Sequence, residues 1–385
     1  MKILISAVSD SDPIRGFHDG ALVHIARKYR PDKIIIVYSD KMLPNKERNN
    51  KVLFSISENY RPEIIIHEKI IIGEDVFIFD KMYDEFSKII NECYKKEDEF
   101  ILNLSSGTPQ ICAALFIINR LSGINVKAVQ VASPQKGPNI GDKHDISEDI
   151  DDLISLNEDS TDQFVDRTLE DSAEKFSQDL MKKTIRDFIT KYDYKASLEL
   201  ANQLPDFSGL KEARKKLQDI VDALDRQDIP QTLKNRKWSD EKKVLNAYLT
   251  IELQKERGNF SEGLIRIKNL TEFILGDYIE NRYPGFLDNY SNDSVKYYIG
   301  IWDYDKILQE KREWILHNKI KPILRMNKTR NTIAHKLDSL DSEELKQLGP
   351  VLKALKGLIK EQYQLTEKDF NFYKDFNKEL LELLK

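Results

Sequence analysis

Arg330 and His335 lie five residues apart in the segment Asn-Lys-Thr-Arg-Asn-Thr-Ile-Ala-His-Lys, which reads as helix. Asn331 and His335 are spaced i,i+4 and share one helical face. With a step of about 100° per residue, Arg330 sits about 140° from His335, so one helix does not aim both at a single point. Two copies facing each other across a twofold axis would, giving a composite site with paired His and paired Arg. Such a site suits RNA cleavage without a metal. RNA brings its own nucleophile, the 2′-OH beside the scissile phosphate. His supplies a proton acceptor or donor near neutral pH. Arg supplies fixed positive charge that can fork onto phosphate oxygens. Asn331 would orient the imidazole or hold the phosphate. The same residues also suit an ordinary polar face of a surface helix. The twenty residues 311–330 hold seven Lys/Arg and one Glu, so a locally basic stretch leads into the His.

A second candidate is Asn103-Leu104-Ser105-Ser106-Gly107-Thr108-Pro109-Gln110, between an apolar run and a helical pattern. Gly107 permits close backbone approach, and Pro109 suits a first helical turn. Backbone amides with Ser and Thr hydroxyls at a helix start form an anion site. Simple capping by Ser106 or Thr108 is the alternative. The sequence contains neither Gly-x-Gly-x-x-Gly nor Gly-Lys-Ser/Thr, which disfavours a dinucleotide dehydrogenase and excludes a P-loop.

The elements that must position these loops alternate along the first third. Strands are expected at Lys2–Val8, Lys33–Tyr38, Glu63–His67, Glu99–Asn103 and Asn125–Ala132. Helices are expected near His18–Tyr29, Asn45–Asn59, Asp75–Lys95 and Pro109–Leu121. The alternation predicts a parallel sheet covered by helices on both faces, with ligands bound beyond the strands' carboxyl ends. Residues 142–171 carry twelve Asp/Glu against two Lys/Arg and follow a Pro/Gly-rich stretch, so a solvated linker running into helix is expected. From about Thr161 onward the pattern is helical, with a break over residues 284–304 whose aromatics pack or stack bases.

At 385 residues, two or three domains are expected, and a net charge of −5 means that any RNA site must be locally basic. Cys93 and Cys112 in apolar contexts suit a reducing cytoplasm. The opening apolar run is too short for a signal peptide, and no stretch reaches the roughly 18 apolar residues of a membrane span. No His/Cys/Asp/Glu cluster has convincing metal-ligand spacing, and His18, His24 and His67 read as packing or surface residues. His317 is a lesser candidate, and His144 has no evident role.

Arg-Asn-x-x-x-His near the end of a helical C-terminal region resembles the signature of HEPN ribonucleases, and Ser-Ser-Gly-Thr-Pro resembles the ligand loop of CARF domains. Together, over nearly the whole chain, they resemble the CARF–HEPN ribonucleases that accompany type III CRISPR systems. The resemblance implies an α/β plus all-α chain. Residues 1–150 would form a Rossmann-like CARF domain, 151–236 a helical spacer and 237–385 a helical HEPN domain. It implies a homodimer whose paired CARF domains hold a cyclic oligoadenylate and whose paired HEPN domains cut single-stranded RNA, with no metal cofactor. Arg330, Asn331 and His335 would be catalytic and leave a 2′,3′-cyclic phosphate. Ser9, Asp10, Ser11, Ser39, Asp75, Ser105, Ser106, Gly107, Thr108 and Lys136 would hold the ring. Asp75 would accept from a ribose 2′-OH or merely cap its helix, and Lys136 would reach a phosphate. The longer, helical-spacer branch of the family favours a hexa-adenylate over a tetra-adenylate activator. Thr108 and Asp75 would also let the sensor cleave its ring slowly.

Three rival readings make opposing demands. A ligand-responsive transcription regulator needs a basic recognition helix after the sensor, where residues 142–171 are acidic. A catalytically silent scaffold would not need both Arg330 and His335. A nucleotide-dependent metabolic enzyme lacks its phosphate fingerprint.

Overall fold

The computed structural model describes residues 1–67, 71–121, 126–134, 147–161, 164–228, 240–293, 298–336 and 342–385; within them, side chains are not described for 291–293, 328–336, 342–345 and 347. The chain forms two compact units, Met1–Ser177 and Gln178–Lys385.

The first unit is built on strands β1 (Lys2–Ala7), β4 (Lys33–Val37), β5 (Glu63–Ile66), β6 (Glu99–Asn103), β7 (Val126–Val131) and β8 (Thr168–Glu170), in the sheet order β5-β4-β1-β6-β7-β8. The first five run parallel, with Ile3 opposite Lys33 on one side and Phe100 on the other. Successive side chains of a strand point to opposite faces. Ile3, Ile5, Phe100 and Leu102 therefore pack against α3 (Phe79–Cys93) and α4 (Pro109–Leu121), through residues such as Phe86 and Leu115. Leu4, Ile34, Ile36 and Ile101 face the other way, against α1 (Ala21–Tyr29) and α2 (Lys46–Ser55). Both faces are covered, which is why the strands read as unbroken apolar runs. From β1 the chain winds outward to β4 and β5, then returns to β6 on β1's other side. The β1/β6 boundary is thus a topological switch point, where the loops splay apart and leave a crevice.

Two expectations need correction here. The stretch before α1 is not all helix: Ile14–Arg15 (β2) and His18–Asp19 (β3) form a small antiparallel hairpin. The described part of the acidic segment is not a solvated linker. It contains α5 (Ile150–Ser155), buried Asn157 and Asp159, and β8, which pairs antiparallel with β7. Asp159 pairs with Arg167 and meets the buried His24 of α1, and the open edge of β7 recruited residues 168–170 as strand where helix was expected.

The second unit is helical. It comprises α6 (Glu174–Thr190, which begins in the first unit), α7 (Tyr194–Ala201), α8 (Leu210–Asp225), α9 (Asp240–Glu256), α10 (Phe260–Arg282), α11 (Phe286–Asp293), α12 (Ile301–Glu310), α13 (Trp314–Lys336), α14 (Ser342–Gln362), α15 (Glu367–Phe370) and α16 (Phe372–Leu383). One apolar cluster runs from Ile185 to Leu384, so residues on both sides of the expected boundary at 236 share a core. Within it Asn377 is satisfied on both sides: its Oδ1 accepts from the Tyr194 hydroxyl at 2.7 Å and its Nδ2 donates to the Ile189 carbonyl at 2.9 Å. α13 packs on α10, α12 and α14. No described helix is long and apolar enough to cross a membrane.

Candidate functional site

The crevice at the switch point is a cavity of about 590 Å³, within the range of small-molecule sites. Three polar loops line it, together with Ile71, Gly73, Val76 and Phe77 beyond β5. The loop after β1 contributes Ser9, Asp10 and Ser11, the loop after β4 contributes Ser39, Asp40 and Lys41, and the loop after β6 contributes Ser105, Gly107 and Thr108. Arg15 from the hairpin also reaches it.

The loops are held by a buried polar cluster under the cleft floor. Asp12 lies at its centre. Its Oδ2 accepts from the Ser9 amide at 2.9 Å, the Ser9 hydroxyl at 2.9 Å and the Ser106 hydroxyl at 2.8 Å. Its Oδ1 accepts from the Leu22 amide at 3.0 Å. Burial nevertheless pushes the Asp12 carboxyl upward from its ordinary value, against the pull of these bonds. Asn103, at the end of β6, donates to the hydroxyls of Ser6 and Ser106, both at 2.9 Å, and accepts from the Ser105 amide at 2.9 Å. Ser105 Oγ accepts from the Val131 amide at 2.8 Å, and Thr108 Oγ1 donates to the Val76 carbonyl at 2.6 Å. The hydroxyls thus build the loop before they meet a ligand. Gly107 takes φ +106°, and a Cβ there would stand 3.0 Å from Ala7 Cβ, so the position requires glycine.

The structure brings together Ser9, Asp10, Ser11, Ser39, Ser105, Gly107 and Thr108. Ser106 is fully buried and positions the loop from beneath. Asp75 lies in the short turn Gly73–Phe77 but does not line the cleft, and its Oδ1 pairs with Lys81 Nζ at 2.5 Å. Lys136 and His144 lie outside the described residues. The sequence reading missed Arg15 and Lys41. Lys41 directly follows the Ser39 loop, and a cation beside such a loop is the signal that would have found it.

Beside the cleft a second cluster holds the acidic segment down. The Arg27 guanidinium forks onto Asp19 at 2.6 and 3.0 Å, and Asn157 Nδ2 donates to the same carboxylate at 2.6 Å. Arg167 donates to Asp159 at 2.7 Å and approaches Nδ1 of fully buried His24 at 3.2 Å. Burial alone would raise the Asp159 carboxyl, but His24 and Arg167 outweigh it and hold the group well below the usual carboxylate range. Asp19, His24 and Asp159 bring potential metal-ligand atoms within 4.8 Å of one another. Arg27 and Arg167 already neutralise both carboxylates, so the residues fit an ion-pair network better than a cation site. His67 pairs with Glu85 at 2.7 Å on the other side of the sheet.

In the second unit Arg330, Asn331 and His335 all lie on α13, whose backbone is helical through Lys336. Their side chains are outside the described residues. His317 stands on the same helix, 18 residues earlier and so about 27 Å away along the axis. Its Nδ1 lies 2.8 Å from Asp305 Oδ1. It belongs to a different place from His335 within one chain.

Comparison with known proteins gives concordant results. The family described as Cas_Csm6 CARF domain matches residues 63–168, and that described as Cas_Csm6 HEPN domain matches residues 232–322. The chain is 56% identical to the CRISPR system endoribonuclease Csm6′ of Streptococcus thermophilus, over 99% of both chains. It is 36% identical, over 100% of both, to the CRISPR system endoribonuclease Csm6 of the same organism. A solved structure, Enterococcus italicus Csm6 bound to cyclic hexa-2′-fluoro-hexa-dAMP, covers 100% of both chains with a TM-score of 0.70 and 25% identity. With a CARF fold around the crevice and a HEPN region among the helices, the chain belongs to the Csm6 family of CRISPR endoribonucleases.

Proposed function

We propose that the chain is a homodimeric, metal-independent endoribonuclease of type III CRISPR antiviral defence, acting in the cytoplasm on single-stranded RNA. Cyclic oligoadenylate bound across two sheet clefts switches it on. Arg330 stabilises phosphate charge, His335 is the acid/base or orients the 2′-OH, and Asn331 supports both, leaving a 2′,3′-cyclic phosphate. Residues 1–150 are the sensor, 151–236 the spacer and 237–385 the nuclease, with β8 returning to the sensor's sheet.

The observation that carries this reading is the polar switch-point cleft, in a chain similar over its full length to a structure that holds a cyclic hexanucleotide. That ligand's size supports a hexa-adenylate over a tetra-adenylate activator. Ser9, Asp10, Ser11, Ser39, Ser105, Gly107 and Thr108 line the ligand's place, and Arg15 and Lys41 join them as its cations. Lys136 is a further candidate for a phosphate. Gating requires that the ring bind the active arrangement better than the resting one. The test is a fluorogenic RNA cleavage assay in EDTA with tetra- and hexa-adenylate rings. Ring-dependent cleavage in EDTA, stronger with the hexa-adenylate, is expected. Cleavage that needs added metal, or no response to either ring, refutes the corresponding part.

A further inference from the structure

The main cleft has two kinds of wall. The loops after β1, β4 and β6 present hydroxyls, whereas on the side of β5 the cleft is lined by Ile71, Val76 and Phe77. Ile71 and Val76 are buried and belong to the core beneath. Phe77 does not: it is 61% exposed. Among the described residues it is the one aromatic side chain that lines the cavity. Its exposed neighbours differ from it. Ile72 and Ile78 do not line the cleft, and the Phe79 ring lies against Tyr83, with centroids 6.1 Å apart.

Phe77 ends the short turn Gly73–Phe77, and that turn is pinned at three points. The Gly73 amide donates to Asp40 Oδ2 at 3.1 Å, the Val76 carbonyl accepts from Thr108 Oγ1 at 2.6 Å, and the Ile78 amide donates to the Asp75 carbonyl at 3.0 Å. Asp40 and Thr108 themselves line the cleft, so the loops that carry its polar groups also hold the phenyl ring at its rim. A face held in place before binding loses little freedom when a ligand arrives. A phenyl ring has no hydrogen-bonding atom. It offers nothing to a phosphate or a ribose hydroxyl and would strip either of water. It suits a flat π system, which every nucleobase presents. The hydroxyl loops and the Phe77 wall therefore divide a nucleotide between them, sugar and phosphate to the one and base to the other.

We propose that Phe77 is the stacking platform for one adenine of the bound ring in each protomer. The inference rests on the activator reading given above and adds the residue by which the cleft reads a base.

The full chain is compared as wild type, Phe77→Ala, Phe77→Leu and Phe77→Trp. Leu keeps apolar bulk without a π face, and Trp keeps the face. The position is exposed, so thermal midpoints should stay close to that of wild type. In calorimetry with cyclic hexa-adenylate, Phe77→Ala and Phe77→Leu should each bind roughly 5- to 150-fold more weakly, the span of one lost base–aromatic stack. Phe77→Trp should bind about as tightly as wild type. It also reports stacking directly by fluorescence quenching, because the native Trp238, Trp302 and Trp314 all lie beyond Ser177, outside the first unit. Wild-type affinity in Phe77→Leu reduces the contact to apolar filling and overturns the platform. Weakened binding in Phe77→Ala and Phe77→Leu without quenching in Phe77→Trp overturns it as well. If wild-type protein binds no ring, the activator reading fails, and titration of Phe77→Trp with adenosine 5′-monophosphate against ribose 5-phosphate decides the platform. Quenching by the nucleotide alone supports it, and the same response to both compounds overturns it.

Discussion

Ser106 donates its hydroxyl to Asp12 Oδ2 at 2.8 Å across 94 residues of sequence, which joins the loop after β6 to the loop after β1 beneath the cleft. Both groups are fully buried, so neither has water as an alternative partner. A bond to a charged acceptor in that setting contributes about 1.5–3 kcal/mol, and removing the acceptor strands its donors. Asp12→Ala is expected to cost about 2–4 kcal/mol of stability in urea unfolding, because four donors lose their partner. It is also expected to weaken ring binding, since Ser9 and Ser106 lose their anchor together. A variant with unchanged midpoint and unchanged ring affinity would show that the cleft floor is not held this way.

The Asp159 cluster predicts a pH dependence of opposite sign to that of Asp12. The Asp159 carboxyl is held below its ordinary value of 3.8, the direction set by His24 and Arg167 against burial. Asp166 is likewise lowered, to about 2: burial opposes the shift, and Lys28 and Thr168 drive it. A lowered carboxyl contributes stability that is present above the unfolded value and lost as pH falls through the folded one. Acid below about pH 4 is therefore expected to release the acidic segment from the sheet. Asp12, raised by burial, contributes in the other sense, with its share lost as pH rises through its folded value. Stability curves of wild type and Asp159→Asn should lie apart near neutral pH and converge in acid. Parallel curves over the whole range would remove Asp159 from the account.

Arg330, Asn331 and His335 lie on the last turns of α13, away from the sensor sheet in sequence. His335→Ala and Arg330→Ala are each expected to lower the RNA cleavage rate by at least about a hundredfold, the scale of a general acid–base group. Ring binding and dimerisation should be unchanged, because the sensor cleft lies in the other unit. His317→Ala serves as the contrast, since His317 is paired with Asp305 instead. Full activity in His335→Ala would sink the assignment.

The legible parts of this chain are those specified locally. β6, its Ser-Ser-Gly-Thr loop and α4 fall where composition places them, because an unbroken apolar run, a glycine that must take positive φ and a proline at a helix start all act within a few residues. The alternation of strands and helices then implies the switch point. The β2–β3 hairpin and the return of residues 157–170 to the sheet were not legible. Asp159 meets His24 and Arg167, and Asp19 meets Arg27 and Asn157, through contacts that join positions as much as 138 residues apart. A run of twelve carboxylates looks solvated until its partners are known. For the same reason Arg15 went unnoticed: only the hairpin carries it to the cleft. Asp75 was expected there from its place after β5, but the turn points its carboxylate to Lys81.

That last difference sharpens what to expect of the activator itself. A ring lying in the cleft carries a 2′-OH beside each phosphate. If one such hydroxyl is held in line with its phosphate, positioning alone accelerates ring opening. Thr108 lines the cleft and is fixed there by its bond to the Val76 carbonyl, so it can hold a ribose or phosphate in a constant place. Neither loop supplies a His, and Asp75 is engaged elsewhere, so no strong base is at hand. Slow ring cleavage that depends on Thr108 and not on Asp75 is the expected behaviour. The experiment uses the His335→Ala background, which removes the nuclease chemistry, and follows linear products of cyclic hexa-adenylate by chromatography. Thr108→Val, which keeps the shape but loses the hydroxyl, should slow product formation about tenfold or more, while Asp75→Ala should leave it unchanged. If the ring survives many hours with His335→Ala yet is lost with wild-type protein, the cleavage belongs to the nuclease domain, and the cleft is a passive binding site.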